Sequence, residues 1–175
     1  MNPNTRANVI MTTIPIPTEV LQAAGVLIKD GKDGPEAYSL ELNRLVDDQK
    51  IDPKGTQHWY QAQIKERSII KVKFVHPNQE ATDPKTGNLV VLLYYKARSS
   101  TATNDGPYGS AMAHGDGAGN VDQIVDRPLE NEFLYCRVMG LDNAVSSSEP
   151  YQLMVEKLER VMHFTNHEQV SILKG

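Results

Sequence analysis

The sequence predicts a mainly β protein, an antiparallel β-sandwich with one or two short helices. Three stretches predict it. Leu89 to Tyr94 is an unbroken apolar and aromatic run, with Asp83-Pro84-Lys85-Thr86-Gly87 upstream and a Ser/Thr/Gly stretch downstream. A run this short between turn signals reads as a strand buried on both faces, in the middle of a sheet or inside a sandwich. Ser68 to Val75 alternates, with Ile70, Val72 and Phe74 on one face and Ile69, Lys71, Lys73 and Val75 on the other. That is the pattern of a half-buried strand, expected to pair with the Leu89 run. Glu132 to Leu141 also alternates, Phe133, Tyr135, Arg137 and Met139 against Leu134, Cys136 and Val138.

Taken in order along the sequence, Asn8 to Ile16 is β-rich and is stopped, or held at a sheet edge, by Pro15 and Pro17. Thr18 is placed as a helix N-cap, though Leu21 stands where a capping box has Glu or Gln. Val20, Leu21, Ala24 and Leu27 form a short apolar stripe, and Gly25 weakens the helix, so two or three turns are expected. Gly31 to Pro35 is a loop. Tyr38 to Val46 supports two readings: Tyr38, Leu40 and Leu42 alternate as a strand, while Leu42, Leu45 and Val46 fit a helix. The strand is preferred. Asp52-Pro53-Lys54-Gly55 is a turn, and Trp59 to Ile64 leads into the strands already described.

Ser99 to Asn120 carries five glycines in 22 residues, with Met112 its one long aliphatic side chain. It reads as a long Gly-rich loop at about 99–120 within a single domain over 1–175, and loops of that length are usually functional or disordered. Ser146 to Pro150 precedes a segment with two periods. Tyr151, Met154, Val155, Leu158 and Met162 recur at helical spacing, behind Ser148 and Pro150 as a helix start. The strand alternative keeps Tyr151, Leu153 and Val155 together but then meets Lys157 and Glu159. Local pattern favours the helix, so an α+β fold with a C-terminal helix is the alternative architecture. Gln169 to Leu173 suits a closing strand.

Apolar residues make up 39% of the sequence, enough for a globular core. No apolar run approaches the roughly 18 residues of a membrane span. The first residues lack the charged and apolar regions of a signal peptide, and Cys136 is the sole cysteine, so a cytoplasmic, reducing location is expected. The net charge is −4 without a dense basic cluster, which argues against nucleic acid or an anionic membrane as the main partner.

Candidate chemistry concentrates in and just after the Gly-rich stretch. Asn104, Asp105, Asp116, Asn120, Asp122 and Asp126 supply oxygen donors, and hard cations such as calcium take about six to eight oxygens. From Asp116 the sixth position is Val121 and the twelfth Arg127, so this is no EF-hand loop. The plainer reading is a polar loop whose Asp and Asn bond their own backbone. Asp105, Asp116, Asn120 and Asp122 are the candidate metal ligands, and Asn104, Tyr108 and His114 the candidate ligand-binding residues. His114 with Asp116 and Ser110 would serve a hydrolase, but no strand-turn-helix elbow surrounds Ser110. Gly115 to Gly119 is not a nucleotide fingerprint, since no strand leads straight into it. His163 and His167 are four apart without the Glu of a metalloprotease helix, and two surface or capping histidines are the commoner case. Cys136 packs as a small hydrophobe on this reading. Trp59, Tyr60 and Tyr108 would suit a stacking platform for a sugar or base, although a Trp-Tyr pair is more often partly buried core.

The order of elements resembles the bacterial inclusion-body proteins of the PixA and AidA type. The segments that carry the likeness are Asn8 to Met11, Thr18 to Leu21, Arg67 to Phe74, Leu89 to Tyr94, Phe133 to Tyr135 and Tyr151 to Val155. They follow the family's plan of an early strand, a mid-chain strand pair, a Gly/Pro-rich loop and aromatic C-terminal strands. The sequence departs from it where Thr13-Ile14-Pro15 replaces the usual acidic residue and where the aromatic-rich ending is missing. The resemblance implies a non-enzymatic β-sandwich, abundance in the cytoplasm, oligomers, calcium-dependent sugar binding in some members, and a strand at Tyr151 to Leu158. No family ligand residue transfers to a position of this sequence.

The residues and the resemblance together lead to the expectation of a non-enzymatic binding or assembly protein: self-associating, homo-oligomeric and lectin-like, with carbohydrate as candidate ligand and calcium as candidate cofactor. The alternatives are a ligand-free structural or inclusion-body storage protein, and a hydrolase using His114 and Asp116.

Overall fold

The apolar run of the sequence is the strand that most needs cover on both sides, and the fold is built to supply it. In the computed structural model, which describes residues 11–75, 89–98, 105–113, 120–140, 147 and 149–159, ten strands and one helix are assigned among the described residues. They are β1 (Thr13–Pro15), α1 (Thr18–Ala23), β2 (Glu36–Ser39), β3 (Val46–Gln49), β4 (Gln57–Ile64), β5 (Ile69–Val75), β6 (Leu89–Arg98), β7 (Asp105–Ala113), β8 (Asn120–Ile124), β9 (Glu132–Gly140) and β10 (Tyr151–Leu158).

The strands form two sheets, one of six in the order β1-β2-β4-β9-β6-β7 and one of four in the order β3-β10-β5-β8. All pairings are antiparallel except β2 with β4. The result is a β-sandwich. Its core lies between the sheets, where Tyr60 and Ile64 of β4, Val91 and Leu93 of β6, and Leu134, Cys136 and Val138 of β9 meet Ile70, Val72 and Phe74 of β5 and Tyr151, Leu153 and Val155 of β10. A second cluster covers the outer face of the six-stranded sheet: Val20 and Leu21 of α1 pack on Ala37, Trp59, Tyr94 and Tyr135. Hence β6 is buried on both sides, with Val90 and Tyr94 outward and Val91 and Leu93 inward.

Helix α1 is shorter than its apolar stripe suggests. Thr18 is its first helical residue, and the N-cap position falls to Pro17, which makes no capping hydrogen bond through its side chain. Gly25 ends the helix rather than weakening its middle. It takes φ +68°, and its N–H bonds the Gln22 carbonyl at 3.1 Å while Val26 N–H bonds that of Leu21 at 2.9 Å. This is the paired closure of a left-handed glycine terminus. Leu27 falls beyond it and is 94% exposed.

Three further expectations are corrected. First, β5 does not pair with β6, because the two lie in different sheets. Strand β6 needs apolar cover on both faces, whereas β5 carries Lys71 and Lys73 outward and suits the sheet with the more polar outer face. Second, the stretch at 99–120 is not one loop: β7 pairs with β6 from Val91↔Ala113 to Arg98↔Asp105. Small residues hid the strand, since Gly, Ala and Ser leave no alternation to read. Third, Tyr151 to Leu158 is a strand, not a helix. Tyr151, Leu153 and Val155 are fully buried, and seven residues pair with β5. Tyr151 and Val155 satisfy both periods, and the ladder offered by β5 decides between them.

Side chains tie the connections down. Arg127 forms a two-pronged ion pair with Glu132, Nη1–Oε2 3.0 Å and Nη2–Oε1 2.5 Å, and Nη2 also donates to the Lys96 carbonyl. Asn43, at φ 63°, accepts Lys157 N–H at 2.9 Å and donates to the Val155 carbonyl at 2.8 Å, which fastens the β2–β3 turn to β10. No helix among the described residues is long and apolar enough to cross a membrane.

Candidate functional site

Alternation along a strand sends every second side chain to the face away from the core. In the four-stranded sheet, register turns this into cross-strand rows. Lys73 stands between Met154 of β10 and Asp122 of β8, and Lys71 between Glu156 and Ile124. Gln152 and Val75 form the next row. Over these rows lies an open groove of about 350 Å³, with Lys73, Asp122 and Gln152 as its polar groups and Leu45, Val75 and Met154 among its apolar ones. Asp122 is paired at 3.9 Å with Lys71 Nζ. That distance is at the outer limit of an ion pair, and the carboxylate remains 56% exposed. Glu156 Oε2, by contrast, is buried and accepts no hydrogen bond among the described residues.

Of the predicted site residues, Asp122 lines this groove and Asn120 stands beside it on β8, opposite Val75. Asp105 and Tyr108 belong to β7, the terminal strand of the other sheet, opposite Arg98 and Lys96. The predicted metal set is therefore divided between edge strands of two sheets, although β7 and β8 approach each other. Asn104, His114 and Asp116 lie outside the described residues, as do His163, His167 and the stretch 169–173. Asp126 is engaged structurally, accepting the Tyr95 hydroxyl at 2.9 Å. Among the described residues no three His, Cys, Asp or Glu side chains converge as metal ligands.

The stacking platform does not form. Trp59 and Tyr60 are adjacent on β4 and so face opposite sides, Trp59 under α1 and Tyr60 in the inter-sheet core, both buried. Cys136 is also in that core, where burial pushes its thiol up to about 12; a thiol so held is neither nucleophile nor ligand.

One polar constellation escaped sequence reading. Tyr151 of β10 reaches across the sandwich, its hydroxyl 2.8 Å from His58 Nδ1 and 2.5 Å from the Tyr60 hydroxyl. The Tyr38 ring packs on both His58 and Tyr60. Burial raises the pKa of both bonded phenols and lowers that of His58. The relay runs from a half-buried imidazole into the apolar core and ends there, so it fastens the sheets together rather than delivering a proton to a substrate. Its partners are 91 and 93 residues apart, and no local pattern marks them.

The sequence matches no protein-family profile and no curated protein. Among solved structures the fold is similar to the pre-peptidase C-terminal domain of a collagenase from Bacillus anthracis, at 15% identity and a TM-score of 0.47, over 72% of this protein and 100% of that one.

Proposed function

We propose that this protein is a non-enzymatic binding protein that holds a polyhydroxylated, carbohydrate-type ligand on the outer face of its four-stranded sheet. One observation carries the reading: the groove over β10, β5 and β8 sets Lys73, Asp122 and Gln152 beside apolar Leu45, Val75 and Met154. A sugar presents hydroxyls that both donate and accept, alongside C–H faces that prefer apolar contact. Lys73 donates, Asp122 accepts and Gln152 does both, while the aliphatic groups meet the ring. Lys73, Asp122 and Gln152, the polar side chains that line the groove among the described residues, suit hydrogen bonding to hydroxyls, which is why binding is preferred to hydrolysis.

Asp122 faces Lys71 across 3.9 Å and stands opposite Lys73, so in this reading its carboxylate serves the ligand directly. A calcium requirement is a separate part of the proposal. Self-association and kinship with bacterial inclusion-body proteins belong to it as well, since repeated copies of a weak site raise avidity.

A glycan array run with calcium and again with chelator tests the reading. Binding that disappears in Asp122→Ala combined with Gln152→Ala, at an unchanged melting temperature, supports it. Binding that persists in chelator removes calcium but keeps the groove. If no glycan is retained under either condition, the carbohydrate assignment fails; sedimentation that still shows assembly would then favour a structural role.

A further inference from the structure

Arg137 stands in the middle of the outer face of the six-stranded sheet, on β9 between Trp59 of β4 and Leu92 of β6. It is 9% exposed. Its guanidinium lies over the Trp59 ring, 5.2 Å from the centroid, and Trp59 in turn stacks on Tyr94 at 5.4 Å. Nε donates to Gln57 Oε1 at 2.9 Å. Nη1 donates to the Ala24 carbonyl at 3.3 Å and points towards the Tyr94 hydroxyl at 3.5 Å. Every one of these partners is neutral. The remaining nitrogen, Nη2, donates to no described residue, yet it is not among the side-chain atoms sealed from solvent without a partner.

Part of this arrangement has a structural explanation. Ala24 is the C-cap of α1, and a cation at the end of a helix satisfies free carbonyls and the partial negative charge there. That accounts for Nη1. It does not account for a full positive charge buried without a carboxylate among the described residues, because removing an ion from water is costly unless an opposite charge joins it. The ring face of Trp59 returns only part of that cost. Nor does it account for Nη2, which has no partner among the described residues.

We propose that Arg137 anchors a second ligand site, beneath the C-terminal end of α1, for a carboxylate-bearing ligand. It is independent of the groove, which lies on the other sheet. A guanidinium offers planar donors that suit the oxygens of a carboxylate. Charge balance favours the carboxylate over phosphate, since one cation neutralises a monoanion, whereas a dianion would leave charge uncompensated in a largely apolar layer.

Trp59 is the protein's sole tryptophan, so the intact protein reports on this site through its own fluorescence. The emission is titrated with acetate at constant ionic strength, with chloride as the replaced ion. The same titration is made with an N-acetylated dipeptide as free acid and as amide. Wild type should show a saturable acetate response that chloride does not give. Arg137→Met should lose it while keeping the emission of a buried indole. Arg137→Lys, which retains charge without the planar donors and decides the matter if the Met variant does not fold, should bind acetate at least tenfold more weakly. A peptide acid tenfold tighter than acetate assigns the site to the C-terminus of a polypeptide, and equal affinities assign it to a free small carboxylate. A wild-type response identical in acetate and chloride, an amide as effective as the acid, or undiminished acetate affinity in Arg137→Lys would each overturn the proposal.

Discussion

The hydroxyls of Tyr60 and Tyr151 lie 2.5 Å apart, one from each sheet, and Tyr151 is bonded to His58 as well. Tyr151→Phe removes the shared hydroxyl and leaves Tyr60 without its described side-chain partner in the core. An expected loss of about 1–3 kcal/mol follows from an unsatisfied buried group, read as a lower urea midpoint at unchanged slope. Tyr60→Phe should cost a similar amount. The double variant should cost clearly less than the sum, because both changes break the same bond. Additive losses would show that the hydroxyls act separately.

The same cluster shapes the pH dependence of stability. Burial lowers the His58 pKa below its ordinary 6.5. As pH falls, the unfolded state takes up this proton first, so stability declines below about 6.5 until folded His58 itself titrates. On the alkaline side the Cys136 thiol is held up to about 12 against an ordinary 9.0, and Tyr60 and Tyr151 are also raised. The unfolded state therefore ionises first and stability falls again above about pH 9. Thermal melts of His58→Phe should show a flatter acid limb between about pH 7 and 5.5, with the alkaline limb intact. An acid limb of wild-type steepness would assign it to other groups.

Adjacent leucines on β6 should respond differently. Leu93 is fully buried between the sheets, whereas Leu92 is partly buried against the outer cluster and stands opposite Arg137. Leu93→Ala should cost about 2–5 kcal/mol, and Leu92→Ala less. Leu93→Asp should abolish the cooperative transition at 25 °C, since an unpaired carboxylate has no partner there. Leu92→Asp should remain folded beside the guanidinium. Circular dichroism melts of the four variants check the order, and equal losses at 92 and 93 would contradict the assigned faces.

The Arg127–Glu132 pair is largely buried, with side-chain exposures of 16% and 5%. Glu132→Gln keeps the shape but removes the opposite charge from a largely buried guanidinium, and should destabilise by about 3–5 kcal/mol in denaturant titrations. Replacing both, Arg127→Met with Glu132→Leu, should recover part of that loss. A double variant less stable than Glu132→Gln would mean that Arg127 works mainly through the Lys96 carbonyl and its contact with Tyr95.

What the sequence determined by itself is the predominance of strands and the inward faces of β5 and β9. Ile70, Val72 and Phe74 on β5, and Leu134, Cys136 and Val138 on β9, point into the core as their alternation requires. The double burial of β6 follows from an apolar run that leaves no polar face. Those properties are local, set by side-chain period against a two-sided sheet. Three things were decided only in three dimensions. Tyr151 to Leu158 carries both a helical and a strand period, and the free edges of β5 and β3 selected the strand. Strand β7 has too little apolar contrast to announce itself and exists through its ladder with β6. The polar sites, from the His58–Tyr151–Tyr60 relay to Arg137 and the groove around Lys73 and Asp122, join residues from distant parts of the sequence. Their chemistry arises when two sheets and a short helix bring together groups that no sequence interval relates.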